Sequence, residues 1–275
     1  MTDLDAVGQT ALGVAYVRAV ESRRRDALFT DPLATSMFDE VQTEAARWDD
    51  GADDTAGERV AMYQSIVGRT LFLDDVCRRA AAAGITQFVI LGAGLDARAF
   101  RLDLGSECVI FELDRPQVID VKNELVHQYR PPRKTVRQVV AADLTESWTE
   151  ELCSAGLRTD RRICWLAEGL FVYLTDDVVF SVIDSISAVS VPGSRVGATL
   201  RRPSAHAPGG PFADVSAMWH PDPGIVENFE RTGWVCEIDG ARRILREHGR
   251  AADGPEDNRS QLLVAVRSAA GTPHR

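Results

Sequence analysis

The residues with the clearest chemical meaning form a glycine turn followed by an acid. In QFVILGAGLDARAFR (87–101), the apolar run Phe88 to Leu91 stops at Gly92, Ala93 and Gly94. Such a run reads as a buried strand breaking into a tight turn. Glycines lack Cβ atoms, so the backbone can bend sharply and a ligand can lie against it. A second apolar strand, 108–113, ends around Glu112 and Asp114. A carboxylate at the tip of the second strand, about 20 residues after the glycines, sits where it can grip the ribose hydroxyls of a nucleoside. The spacing predicts a site for an adenosine-containing cofactor at the C-terminal edge of a parallel sheet.

Alone, the glycine motif is ambiguous. Gly92-x-Gly94-x-x-Ala97 also fits the dinucleotide pattern, whose third position tolerates alanine. An NAD-dependent oxidoreductase is therefore one reading, and a nucleoside-binding regulator without turnover is another. Two further acids change the balance. The third strand ends in Ala142-Asp143-Leu144, and the fourth in Ala167-Glu168-Gly169. An edge carrying Asp114, Asp143 and Glu168 is hostile to a pyrophosphate. It suits a ligand with a ribose, an exocyclic amine and a cationic centre, because acids accept hydrogen bonds and attract positive charge. S-adenosylmethionine has all three. The chain also lacks a Tyr-x-x-x-Lys pair for hydride transfer.

These residues need a scaffold. The first 85 residues have helical spacing: Ala11 to Ser22, a start at Asp31-Pro32 with Asp as cap, and Val60 to Ala83. The arginine run 23–25 reads as a solvated face. Strands then alternate with helices: strands at 87–91, 108–113, 136–141, 162–167 and 195–200, and helices near 96–100, 116–129, 147–156 and 176–190. This alternation implies βαβ units and a mostly parallel sheet covered on both faces. Residues 201–223, rich in Pro and Gly, read as an inserted lid. A helix at 224–232, a strand at 234–238, a helix at 241–248 and a strand at 261–267 follow, with no crossover that demands parallel pairing. Composition sets outer limits. Of 275 residues 45% are hydrophobic, enough for a full core. No run of 18 apolar residues occurs, so no spanning helix is expected. The acidic start, without an apolar signal core, and five cysteines without a CxxC predict a reducing cytoplasm and no metal site. A net charge of −10 without a basic stripe argues against nucleic acid.

With these residues in view, ILGAGLDARAFRL, FELDRPQVIDVKNEL, AADL and AEGLFVYL resemble the leucine carboxyl methyltransferase family, in its bacterial S-adenosylmethionine-dependent O-methyltransferase branch. AYVRAVES, DPLA and Arg69-Thr70 fit the same branch, and the resemblance spans about residues 8–267. It implies a doubly wound, mostly parallel seven-stranded α/β sheet of the class I methyltransferase, Rossmann-like type. Residues 1–84 would form a helical cap in the same domain as the core at 85–275. The resemblance also implies roles. Gly92, Ala93 and Gly94 lie under the cofactor, and Asp114 binds the ribose, with Glu112 supporting the strand end. Asp143 and Leu144 frame the adenine. Arg69 pairs with the cofactor's carboxylate, and Glu168 faces its amino group. Plainer roles compete: Arg69 as a surface or ion-pair residue, Asp143 as a helix cap, Glu168 as a helix-start acid. Arg98 and Arg101 read as structural, and His127 as solvent-facing.

Methyl transfer to a carboxylate needs no general base, since the acceptor is ionised at neutral pH; a phenol, with a pKa of about 10, needs help. Tyr173, His206 and His220 are the candidates for such help. Arg201, Arg202 and Trp219 are candidates for binding the acceptor. The expected acceptor is a small natural-product-like molecule; a peptide or protein C-terminus is the alternative, and the oligomeric state is not legible.

Overall fold

Two runs, QFVIL and ICWLA, are buried along their whole length, as strands covered on both faces must be. They form the centre of the sheet in the computed structural model, which describes residues 6–38, 56–201, 218–250 and 260–269. The strands are β1 (Gln87–Leu91), β2 (Val109–Asp114), β3 (Val136–Ala141), β4 (Ile163–Ala167), β5 (Arg195–Arg201), β6 (Trp234–Gly240) and β7 (Ser260–Arg267). Their order is β3-β2-β1-β4-β5-β7-β6. β1 to β5 pair in parallel, and β7 runs antiparallel between β5 and β6. This is the doubly wound class I methyltransferase arrangement that the resemblance implies. Order reverses on either side of β1, so the crevice opens at the tips of β1, β2 and β4, where such folds hold ligands.

The helices are α1 (Ala6–Ser22), α2 (Pro32–Met37), α3 (Ala56–Ala82), α4 (Arg98–Arg101), α5 (Pro116–Tyr129), α6 (Trp148–Ser154), α7 (Asp176–Ala188), α8 (Ile225–Arg231) and α9 (Ala241–Glu247). The two-residue period of the strands divides the core. Phe88, Ile90, Cys164 and Leu166 pack with α1, α3 and α9. Val89, Leu91, Trp165 and Ala167 pack with α6, α7 and α8. On the second face Trp148 and Trp165 meet edge to face, 6.0 Å apart, and the buried Trp165 indole donates to Ser190 Oγ at 2.9 Å. The indole's one polar group is thereby satisfied, as a dry interior requires. Among the described residues no helix is long and apolar enough to cross a membrane.

Two sequence expectations change, and the direction of β7, left open by the sequence, is decided. The helix expected at 96–100 begins at Arg98, because Asp96 N still donates to Ala93 O at 2.7 Å and keeps that residue in the turn. The arginine run is only partly solvated: Arg23 and Arg24 are half-buried, and Arg23 donates to Thr35 O at 2.7 Å. β7 is antiparallel because the chain re-enters the sheet at the edge where it left. Gly240 ends β6 opposite Gln261, near the start of β7. Asp31 caps α2 as expected, its Oδ1 accepting Ala34 N at 2.9 Å.

α3 and α9 cross at Gly68, where a Cβ would lie 2.6 Å from Ala241 O and 2.8 Å from Ala241 Cβ. Two effects oppose each other in Gly68→Ala. Helix propensity favours alanine by about 1 kcal/mol. Overpacking against a backbone carbonyl costs about 1–3 kcal/mol. The clash is with backbone and cannot be relieved by a rotamer, so the variant is expected to lose stability. A urea midpoint at or above wild type would show that the crossing is not close-packed.

Candidate functional site

The glycine turn is built as its residue types require. Gly92 and Gly94 have φ of +60° and +41°, in the left-handed region that β-carbons disfavour. A Cβ on Gly92 would also sit 2.8 Å from Leu170 Cδ1. Ala93 N donates to Leu113 O at 3.0 Å, and Gly94 N to Asp114 Oδ2 at 2.7 Å. The turn is therefore tied to the tip of β2 by the acid that the spacing singled out. Asp114 Oδ1 accepts Arg115 N at 2.8 Å. Burial pushes the Asp114 carboxyl up, against the lowering by these two N–H groups.

Asp143 lies beyond β3, where Ala142 N donates to Asp114 O at 3.0 Å and brings the two strand ends together. Its Oδ1 accepts both Thr145 N at 2.9 Å and Thr145 Oγ1 at 2.8 Å. Those bonds, with the charge of Arg115, hold its carboxyl below the usual range. The two bonds from Thr145 close a local turn over Asp143–Thr145 and occupy one carboxylate oxygen; the expected helix cap is not made, because α6 starts at Trp148 with Ser147 as its N-cap. Leu144 beside it is buried.

Glu168 follows β4 and is not a lone acid at a helix start. Arg69 Nε reaches its Oε1 at 2.9 Å, and Arg98 Nη1 reaches its Oε2 at 2.9 Å. Burial raises the Glu168 carboxyl, but the guanidiniums of Arg98, Arg69 and Arg18 outweigh it and hold it at about 2. Arg69 is therefore an ion-pair residue, and its partner is the acid expected to share the cofactor with it. Glu112 belongs elsewhere. It is fully buried with Lys122 at 2.8 Å and Arg137 at 2.7 Å, a structural cluster beneath the β2 tip.

A buried ionic lattice under the turn is what sequence reasoning missed. Arg98, 1% exposed, pairs with Asp96 and, at 3.0 Å, with Asp74. Arg101 also pairs with Asp74. Arg18 donates to Leu95 O at 2.5 Å and to Asp31 Oδ2 at 2.8 Å, so α1 clamps the turn from above. No local pattern gives it away: Asp31 lies 13 positions from Arg18, and Asp74 lies 24 and 27 positions from Arg98 and Arg101.

The acceptor candidates are placed unevenly. Arg202 and His206 lie outside the described residues, as does most of the expected lid. Arg201 is the last residue of β5. Trp219 is half-buried and His220 exposed. His220 N donates to Val172 O at 2.8 Å, which joins this segment to the turn Phe171–Tyr173 just after Glu168. Tyr173 is half-buried in that turn, and His127 is exposed on α5.

Glu168 has a carboxyl held below its ordinary value of 4.5, so its pairing stabilises the fold above about pH 4.5 and is lost as pH falls toward 2. Glu168→Gln is expected to cost about 3–5 kcal/mol at pH 7, because two guanidiniums lose a buried partner. The gap from wild type should narrow once pH drops below about 4.5. Denaturant melts at pH 7, 5 and 3.5 check this; a gap that stays constant would remove the charge argument.

The leucine carboxyl methyltransferase family model matches residues 11–187, a span that includes the turn and every acid described above. A candidate S-adenosyl-L-methionine-dependent methyltransferase of Streptomyces avermitilis is 37% identical over 275 residues, covering 95% of each chain. One from Streptomyces coelicolor is 36% identical over 281 residues, again covering 95% of each. Among solved structures, a DUF574 family protein from Streptomyces avermitilis aligns with a TM-score of 0.57 at 14% identity, covering 92% of this chain and 96% of that one. A candidate methyltransferase from Thermobifida fusca aligns at 0.50 with 17% identity, covering 93% and 94%. At such identities the structural likeness speaks for the fold alone. The family match and the close relatives carry the assignment: the chain belongs to the leucine carboxyl methyltransferase family.

Proposed function

We propose that this chain transfers the methyl group of S-adenosylmethionine to an oxygen of a small molecule, either a carboxylate or a hydroxyl. The methyltransferase class and the cofactor rest on family membership. The single observation that carries the site is chemical. Asp114, Asp143 and Glu168 stand at the ends of three parallel strands around a glycine turn, with the guanidiniums of Arg69 and Arg98 against Glu168. An NAD-dependent oxidoreductase finds no support in that set, because three acids oppose a pyrophosphate.

The residues present fit the cofactor. Arg69 and Glu168 offer one positive and one negative group side by side, the complement of an amino acid's carboxylate and ammonium. Asp114 uses one lone pair of each oxygen on a backbone N–H and keeps others for ribose hydroxyls. Asp143 keeps its second oxygen for an exocyclic amine, with Leu144 as an apolar wall. Gly92, Ala93 and Gly94 leave room beneath. Bound there, S-adenosylmethionine supplies an electrophilic methyl group on a sulfonium. The protein's task is then alignment, worth about 7–11 kcal/mol when the acceptor is held in line. The acceptor side is read as Trp219, Tyr173 and the end of β5, with Arg201 and Arg202 as anchors for an acidic acceptor. What supports this is the bond from His220 N to Val172 O, which holds the 218–220 segment against the turn next to Glu168.

S-adenosylhomocysteine is expected to bind and raise the melting temperature, and NAD to leave it unchanged. Asp114→Ala should weaken S-adenosylhomocysteine by about 1.5–3 kcal/mol through loss of charge-assisted hydrogen bonds. Specific NAD binding without a response to S-adenosylhomocysteine would defeat the reading. Acceptor type is tested by pH. A carboxylate acceptor gives a rate flat from about pH 6 to 8, whereas a phenol gives a rising rate that His206→Ala or His220→Ala alters.

A further inference from the structure

We infer that Arg98 is a positioning residue for the cofactor: it keeps Glu168 fixed and ionised while Arg69 turns from Glu168 to the cofactor's carboxylate. This rests on the reading of Arg69 and Glu168 as a clamp for the amino-acid end. In the structure each half of that clamp occupies the other, with Arg69 Nε 2.9 Å from Glu168 Oε1. When Arg69 takes a carboxylate, Glu168 loses one of its two direct partners. Arg98 remains, with Nη1 2.9 Å from Oε2. It cannot follow Arg69. It is buried between Asp96 and Asp74, and its own backbone N donates to Asp96 Oδ1 at 2.7 Å. Arg98 Nη2 is buried without a hydrogen-bond partner, so the guanidinium is held by its acids at the cost of one unmade bond.

The surroundings show why a fixed cation is needed. Glu168 faces Arg18 from α1, Arg69 from α3, and Arg98 and Asp96 from the turn and α4. Asp74 of α3 meets the same guanidinium from behind, and Lys122 of α5 acts on Asp96. Burial and the neighbouring Asp96 both favour a protonated Glu168. A protonated Glu168 would hold an ammonium poorly, because the charge pairing is gone. Arg98 is the contact that prevents this without competing for the cofactor.

The test is the pH profile of binding, read by calorimetry with two probes. S-adenosylhomocysteine carries the amino-acid end; 5′-methylthioadenosine lacks it. In wild type, S-adenosylhomocysteine affinity should change less than about threefold from pH 8 to 5.5. In Arg98→Met it should fall by more than about threefold over that range, because Glu168 loses its fixed buried partner and takes up a proton more readily. Methylthioadenosine should give a flat profile in both, and Arg98→Lys should restore the flat S-adenosylhomocysteine profile. A merely structural arginine would weaken both probes equally at every pH, and that result overturns the inference. If Arg98→Met does not fold, Arg69→Ala decides. There Arg98 is the direct guanidinium left on Glu168, so S-adenosylhomocysteine should bind more weakly but with a flat profile, and a fall toward pH 5.5 overturns the inference. Glu168→Gln separates the two levels. If it leaves S-adenosylhomocysteine affinity unchanged, the clamp and the role of Arg98 both fail. If it weakens S-adenosylhomocysteine alone while Arg98→Met stays flat, only the role of Arg98 fails.

Discussion

A guanidinium closed off from water sets the terms for the site. Taking such an ion out of water costs several kcal/mol unless acids surround it in good geometry. Arg98 meets that demand with Asp74 from α3, Asp96 from the turn and Glu168 from the end of β4. Three separate elements must therefore arrive at one point. Arg18, Arg69 and Arg101 bring further positive charge from α1, α3 and α4, and Asp31 helps to balance it. The lattice links the N-terminal helices to the sheet edge through charge, while Val67, Leu73 and Val76 do so through packing on the same face.

This arrangement explains why the N-terminal helices bear on the site although they precede the sheet in the chain. α1 crosses the glycine turn closely enough that a Cβ on Gly94 would come 3.6 Å from Ala11 Cβ, and Arg18 holds Leu95 O. The turn is thus fixed from above by a helix and from the side by Asp114. A loop held on both sides presents its N–H groups and open space in one geometry, and such preorganisation lowers the cost of binding. Parallel pairing does the rest. Because β1, β2, β3 and β4 run the same way, their C-terminal residues all reach one edge, and acids distant in sequence become neighbours.

Much of this was legible in the chain. The β1 and β4 runs, the turn at Gly92 to Gly94 and the acids after β2, β3 and β4 were readable because apolar periodicity and glycine placement are local signals. Asp31 as a cap was readable for the same reason. Arg23 and Arg24 were misread because a charge run looks solvated unless the neighbour that covers it is known. The direction of β7 was open because it depends on which edge the chain reaches after α9. Glu168 was recognised as an acid at a strand end, yet its two guanidinium partners come from positions 69 and 98, and no local pattern links them to it.

By itself, then, the sequence determined most elements, a mostly parallel sheet and the identity of the acids, since these follow from spacing and residue type; the family and the seven-stranded sheet entered through the resemblance of its motifs. Only the tertiary structure decided which charges meet. It assigned Glu112 to a buried cluster with Lys122 and Arg137, and Glu168 to Arg69 and Arg98. The physical reason is that ion pairing acts over a few ångströms in space. Residues that far apart in the chain come within that distance only after the helices have packed on the sheet.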